Sequence, residues 1–439
     1  MSAPEDRTRN VFVLGMTDLQ RQELGRMRRA SRYAFHPLLD YGTLVRDTDP
    51  DFDALLEAAR AQLADFPSPV DAIVCHWDFP SSLLAPILAH EHGIPAPSVT
   101  SVLRCEHKYW SRLEQRRAVP EVVPGFAAFD PFADDALGQV DLPFPFWVKP
   151  VKAHSSNLGF EIHDETEFTA ALDEIRAEIT DVGDAFNQVL RRVELPESLR
   201  GAGGNTCLAE EVITGIQVAP EGVVARGRFS VHGIVDMHRD GHSIDHLDYP
   251  AVTVPAEVQQ RMVDTAERFL HHIGYDDGAF NVEYMWDRET DLLRLIEVNT
   301  RISQSHTELF LKVDGTSNHE VAIDVALGEA PQMPHREGRF AVAGQWHVFH
   351  DADAIVRSVP GKEHLAALER ALPDTKVTLQ VAPGDRLADL PHQDSYRFKL
   401  GSVYLGADDH AQLADRFRQA MELLPFELDP VPEEKEVPG

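Results

Sequence analysis

Cysteine is scarce. The chain has three, Cys75, Cys105 and Cys207, far apart and without CxxC spacing. That excludes a disulfide framework and fits a reducing compartment. Basic residues are also in short supply: 41 Lys and Arg stand against 72 Asp and Glu, a formal net charge of −31. Phosphate backbones need a basic face, so nucleic acid is not an expected partner; the acidity reads as a solvated surface. No apolar run approaches the roughly 18 residues that a membrane span requires. The first ten residues are polar and lack the apolar core of a signal peptide. The expectation is a cytoplasmic protein with no membrane association. No internal repeat and no low-complexity tract is present.

What is present is a folded composition, 43% hydrophobic and 26% charged over 439 residues, long enough for two or three packed domains. Residues 10–16 (NVFVLGM) and 70–75 read as buried strands, and 51–65 and 81–92 as helices, the latter stopped by Gly93. This alternation predicts an α/β domain over residues 1–125. A Pro-, Gly- and Asp-rich linker follows. Residues 144–151 (FPFWVKPV) predict a strand carrying Lys149. Asp164 and Glu167 form a capping box before a helix over 165–180, and 207–213 (CLAEEVI) is another strand. Residues 126–225 are taken as one small α+β unit. From residue 226 the pattern is antiparallel, with a strongly amphipathic helix over 256–273. Residues 336–428 read as a smaller α+β appendage, and 429–439 as a disordered tail.

The most informative stretch is 281–301, NVEYMWDRETDLLRLIEVNTR. As a hairpin turning near residue 290, it sets Glu283 opposite Glu297 and Asn281 opposite Asn299. Alternation puts Glu297, Asn299 and Arg301 on one face and Val282, Ile296, Val298 and Ile302 on the other. Carboxylates directly opposed across strands repel, which a cation between them relieves. Two carboxylates and an amide oxygen are the hard ligands that Mg²⁺ prefers, and Arg301 would meet phosphate or carboxylate oxygens with its planar fork. The alternative is a solvent-facing hairpin with ordinary charges.

The pair of segments NVE (281–283) and IEVNTR (296–301) resembles the metal-binding end of ATP-grasp enzymes. Other segments match that family in order. His107, Lys108 and Arg112 in CEHKYWSRLEQ resemble its Asp-Lys-xxx-Arg helix, with His107 in the place of the Asp. Lys149-Pro150 resembles the second nucleotide lysine, ahead of a phosphate loop (152–159, KAHSSNLG) that departs from the glycine-rich version and offers one glycine with Ser155, Ser156 and Asn157. Glu210, Glu211, Val212 and Ile213 resemble the hinge that meets adenine, with the ribose contact falling on Gln217 or Glu221.

The resemblance covers residues 10–330 and is nearest to carboxylate–amine ligases related to bacterial L-amino acid ligases, with a biotin-carboxylase-like layout. It implies an ATP-grasp fold: a Rossmann-like pre-ATP-grasp domain (1–125), a small lid subdomain (126–225), a large antiparallel subdomain with the metal site (226–335) and a C-terminal α+β subdomain (336–428). It implies ATP and Mg²⁺, with Mn²⁺ as a substitute. Lys108 and Lys149 would meet the phosphates, Glu283, Glu297 and Asn299 the metal, and Arg301 an acyl phosphate. The implied partners are a small-molecule carboxylate and an amine, and a homodimer is compatible with the resemblance. Two other readings stay open. NTRISQSH (299–306) is similar to a biotin carboxylase pattern, which would make bicarbonate the substrate, although Ser305 replaces the Glu used there as base. A non-catalytic ATP-binding regulator is the third. His238, His242 and His246, with Asp245 and Asp248, are read as a polar hairpin whose histidines need not converge.

Overall fold

The computed structural model describes residues 7–47, 49–152, 158–241, 243–390 and 397–431. Ser155, Ser156, Asn157 and His242 therefore lie outside the described residues. The chain divides into two compact units: residues 1–235, 251–307 and 316–334 form the first, and 236–250, 308–315 and 335–439 the second. No helix among the described residues is long and apolar enough to cross a membrane.

The first unit begins with a parallel sheet in the order Tyr33–Leu38, Arg9–Leu14, Ala72–Val74. Its central strand is buried along Val11–Leu14, as a strand covered on both faces must be. Phe12, Phe52, Phe79 and Leu83 join one core under the helices Phe52–Ala64 and Ser81–Glu91.

A four-stranded antiparallel sheet follows, in the order Phe126–Phe129, Cys207–Glu211, Phe146–Pro150, Phe160–Ile162. The helix packed on it runs over Glu165–Leu190, ten residues past the predicted end. Asp164 caps it by accepting from the Thr166 and Glu167 amides. Its first half sits on the small sheet through Phe168, Leu172 and Ile175. Its second half enters the first domain's core through Ala185, Phe186 and Val189. Gly183 does not stop the helix, because the glycine is there for packing: a Cβ on it would run into the Asn205 side chain and the Gly204 carbonyl oxygen. Tertiary contact thus overrides the helix weakness of glycine.

The large sheet of this unit runs Leu292–Asn299, Gly278–Asp287, Ile216–Ala225, then Arg228–Asp240, whose last residues belong to the second unit. The helix Ala256–His272 buries Met262, Ala266 and Phe269 against it. One boundary is corrected here. Residues 216–225, assigned from sequence to the small subdomain, form a strand paired antiparallel with Gly278–Asp287, so the small sheet ends at Glu211. The burial of that strand on both faces left no alternation to read.

The second unit is an antiparallel sheet in the order Arg228–Asp240, Ser243–Tyr249, Val342–His350, Phe398–Ala407, Lys376–Leu379. A two-stranded ribbon (Ala354–Ser358 with Glu427–Pro430) and the helices Lys362–Ala371 and His410–Leu423 complete it. Val403, Leu405, Leu413 and Ala420 form its core. The appendage expected at 336–428 therefore also takes in the hairpin end at 236–250 and residues 308–315.

Candidate functional site

The hairpin 278–299 pairs Asn281 with Asn299, Val282 with Val298 and Glu283 with Glu297, the register its sequence predicts. Beyond Glu283 the register shifts, and Tyr284 faces Leu295. Ile296 is the extra residue of this bulge. It is only half-buried, whereas Leu295 is fully buried, so Leu295 takes the core place expected for Ile296. The bulge turns two successive carbonyls to one side. Both accept from Arg112, Leu295 O from Nη1 at 2.9 Å and Ile296 O from Nη2 at 2.8 Å.

Arg112 belongs to the helix Lys108–Ala118, and its Nε pairs with the Glu210 carboxylate on the small sheet. Glu210 also holds Lys149 Nζ at 2.5 Å. One guanidinium thus ties small sheet, helix and large sheet together, all buried. Burial alone would raise the Glu210 carboxyl, but Arg112 and Lys149 outweigh it and bring it down to about 2. Sequence comparison expects backbone contacts from Glu210; the structure gives its side chain the task of placing Lys149. Glu211 is exposed and accepts from the Gly125 amide at 3.1 Å. Its own amide is bonded to Gly125 O. Val212 and Ile213 are half-buried in the irregular link before the next strand.

His107, which stands where the resembled helix has an Asp, caps the helix Lys108–Ala118. Its Nδ1 accepts from the Trp110 amide at 3.2 Å, and its Nε2 lies 3.1 Å from the Ala202 carbonyl. That arrangement requires the neutral Nε2–H tautomer, and burial holds the ring down to about 4. The cap starts the helix so that Lys108 Nζ stands 3.4 Å from Glu297 Oε1. Lys152 pairs with Glu106 at 2.7 Å, and the other oxygen of Glu106 accepts from Thr300.

The two facing glutamates titrate in opposite directions. Burial first, then the charge of Glu297, pushes the Glu283 carboxyl up to about 7. Burial acts on Glu297 too, but Lys108, Lys149 and Lys152 together outweigh it and hold its carboxyl low. Gln217 Nε2 donates to Glu283 at 2.9 Å, and Asn299 Nδ2 donates to its other oxygen at 3.3 Å. A carboxylate kept from ionising by a like-charged neighbour is the environment that a bound divalent cation relieves. Glu283, Glu297 and Asn299 supply the oxygen set that Mg²⁺ takes, so the residues fit that ion.

Arg301 lies beside this pair. Asp78 grips it at both ends of the fork, Nε to Oδ1 and Nη2 to Oδ2, each at 2.7 Å. Gln217 and Glu221, the two residues named for the ribose, part company. Gln217 is bonded to Glu283. Glu221 is fully buried with both oxygens engaged, Oε1 by Asn318 at 2.7 Å and Oε2 by His306 at 2.7 Å and the Ser303 amide at 3.2 Å. Asp78, Glu106 and Lys152 were not singled out from sequence. Glu106 and Lys152 sit two and three residues from the two lysines that were, which is the only local signal. Nothing local joins Asp78 to Arg301 across 223 residues. Of Cys75 and Cys105, both expected as packed core thiols, Cys105 is buried but Cys75 is only half-buried, its thiol pushed up to about 12 by desolvation; Cys207 is buried as well.

Comparison with known proteins agrees with this geometry. Residues 229–333 match the ATP-binding domain of the carbamoyl-phosphate synthase L chain. The chain is 26% identical over 193 residues to the uncharacterized protein y4rH of Sinorhizobium fredii, a match spanning 42% of this chain and 38% of that protein. It is 31% identical over 154 residues to the carbamoyl phosphate synthase large chain of a Thermotoga species, 33% of this chain but 14% of that one. The matches thus span well under half of these relatives. Among solved structures, L-amino acid ligase from Bacillus licheniformis superposes with a TM-score of 0.71 at 16% identity, covering 96% of this chain and 99% of that one. Biotin carboxylase from Campylobacter jejuni gives 0.62 at 14% identity, covering 96% and 92%. The chain has an ATP-grasp fold, the fold of these solved structures.

Proposed function

We propose that this protein joins a small carboxylate, such as an amino acid, to an amine at the expense of ATP, through an acyl phosphate. The observation that carries the reading is the Glu283–Glu297 pair facing each other beside Lys108, Lys149 and Arg301. Glu283, Glu297 and Asn299 would hold Mg²⁺, with Gln217 orienting Glu283. When bound, the ion supplies charge neutralisation at the transferring phosphoryl group. Lys108 and Lys149 would neutralise the remaining phosphate oxygens, Lys149 held in place by Glu210 and Arg112. A substrate carboxylate would take the phosphoryl group, and an amine would then displace phosphate to leave the amide. Arg301, its fork fixed by Asp78, would hold the negative charge that develops on the acyl carbon's oxygens.

The bicarbonate reading has less support. Ser305 stands where that pattern has the Glu used as base, and His306 beside it is buried and bonded to Glu221.

The test is phosphate release from ATP and Mg²⁺ against pools of amino acids and small carboxylic acids, with and without amines. Release that requires both a carboxylate and an amine, and disappears in Glu297→Ala, is the expected result. Release driven by bicarbonate alone would replace this reading with the carboxylase one.

A further inference from the structure

The second unit carries a cluster that the reaction above does not use. On the hairpin formed by the strands ending at Asp240 and starting at Ser243, His246 lies directly opposite His238, and Asp248 opposite Asp236. The sequence reading treats these histidines as unconvergent. The register shift between Ile244 and His246 overturns that, because it turns both rings to the same face. They stack at 4.0 Å between centroids, with planes 8° apart. One ligand atom from each of His238, His246 and Asp248 lies within 4.8 Å of the others. A fourth group arrives from elsewhere in the chain. His410, the first residue of the helix His410–Leu423, places Nδ1 3.5 Å from Asp248 Oδ2.

Three features argue against an ordinary polar patch. Asp248 Oδ1 and His410 Nε2 are buried with no hydrogen-bond partner among the described residues, and His238 Nε2 reaches only Asp248 Oδ2, at 3.4 Å. Buried polar atoms left in that state are costly. Second, His246 Nδ1 is 2.9 Å from Asp245 Oδ2. A carboxylate on one imidazole nitrogen fixes the tautomer and frees the other nitrogen as a ligand, an arrangement typical of metal-binding histidines. Third, His246 is held flat against Trp346 at 5.2 Å, and Trp346 against Phe417 at 4.8 Å, so its ring direction is set by packing.

We propose that His238, His246 and Asp248, with His410 as fourth donor, form a site for a divalent transition-metal ion of the Zn²⁺ type. Imidazole nitrogens with one carboxylate select such ions over Mg²⁺. The donor set thus differs in kind from the oxygen set of Glu283, Glu297 and Asn299. The donors must close up, since tetrahedral zinc ligands at ordinary bond lengths stand about 3.3 Å apart. His238 and His410 have the freedom to do so, with side chains 32% and 33% exposed. The bound ion would staple the hairpin to the start of the helix His410–Leu423 within this unit.

The test uses the full-length chain, stripped of metal and titrated with Zn²⁺ against a chromophoric chelator in excess Mg²⁺, then with Co²⁺ followed by visible absorption. The proposal expects one saturable Zn²⁺ per chain, absorption of a tetrahedral nitrogen-ligated Co²⁺, and a rise in melting temperature on adding Zn²⁺. His246→Gln and Asp248→Asn should weaken binding at least about 10–100-fold, and Glu297→Ala should leave it intact. His238→Gln changes a partly exposed side chain and serves where the other two fail to fold. Absence of saturable binding, or equal binding by wild type and His238→Gln, overturns the proposal and leaves an adventitious ion only. So does loss of the site in Glu297→Ala.

Discussion

Glu221, fully buried, and Glu283, half-buried, are glutamates on neighbouring strands of one sheet, yet their carboxyls are driven apart, to about 2 and about 7. Burial raises both. Around Glu221 it is overcome by His232 and His306, in a pocket where Asn318 and the Ser303 amide also donate. Around Glu283 the facing Glu297 adds to it, and the donors Asn299 and Gln217 do not compensate. The first carboxylate is neutralised from within the chain and acts as structure. The second lacks that compensation, which is what the proposed metal site requires. Residue type and sheet are the same in the two cases; the sign of what surrounds them decides the direction of the shift.

The largest test of this contrast is Glu221→Ala. It leaves His306, His232 and Asn318 facing a void, and should cost about 3–5 kcal/mol of stability, the scale for breaking a buried charged pair, measured by denaturant unfolding. Glu283→Gln should do the reverse. Calorimetry in chelator should show no loss of melting temperature, because a repulsion is removed, while turnover falls about 10²–10³-fold, the scale for losing one electrostatic contact to the reacting group. A large loss of stability in Glu283→Gln would erase the distinction.

Titration sharpens it further. Glu221 and Glu210, both lowered to about 2 in the folded chain, contribute stability that is complete above the ordinary carboxylate range and lost as the pH falls from about 4.5 toward 2. Glu283, raised to about 7, has the opposite sign: without metal, stability is lost as the pH rises from about 4.5 through 7. Unfolding free energy against pH should therefore lose its acid slope in part in Glu221→Gln, and its neutral slope in Glu283→Gln. The smallest effect is expected from Gln217→Leu. It removes one hydrogen bond to Glu283, worth about 1 kcal/mol, and should appear as a weaker Mg²⁺ dependence of turnover with little change in melting temperature.

Much of this arrangement was legible in the chain itself. The even spacing of Asn281, Glu283, Glu297 and Asn299 about a polar turn determines which side chains meet, because strand alternation and a short turn leave one register. Asp164 before Glu165–Leu190 announces a helix start, and the runs NVFVL and AIV announce buried strands. These are local: each depends on residues a turn or a pleat apart. The bulge at Ile296 already escapes such reading, since its reason is Arg112, 184 residues away.

What only the tertiary structure decided lies at long separation. Asp78 reaches Arg301 across 223 residues, Arg112 reaches Glu210 across 98, and His306 reaches Glu221 across 85. Sheet order and helix packing make those meetings, and no periodicity encodes them. The sequence by itself determined the residue types, the hairpin register and the ATP-grasp pattern. The folded chain decided which carboxylates are neutralised from within and which are not, because that depends on the charges brought close in space, and a buried charge is stable only beside its opposite.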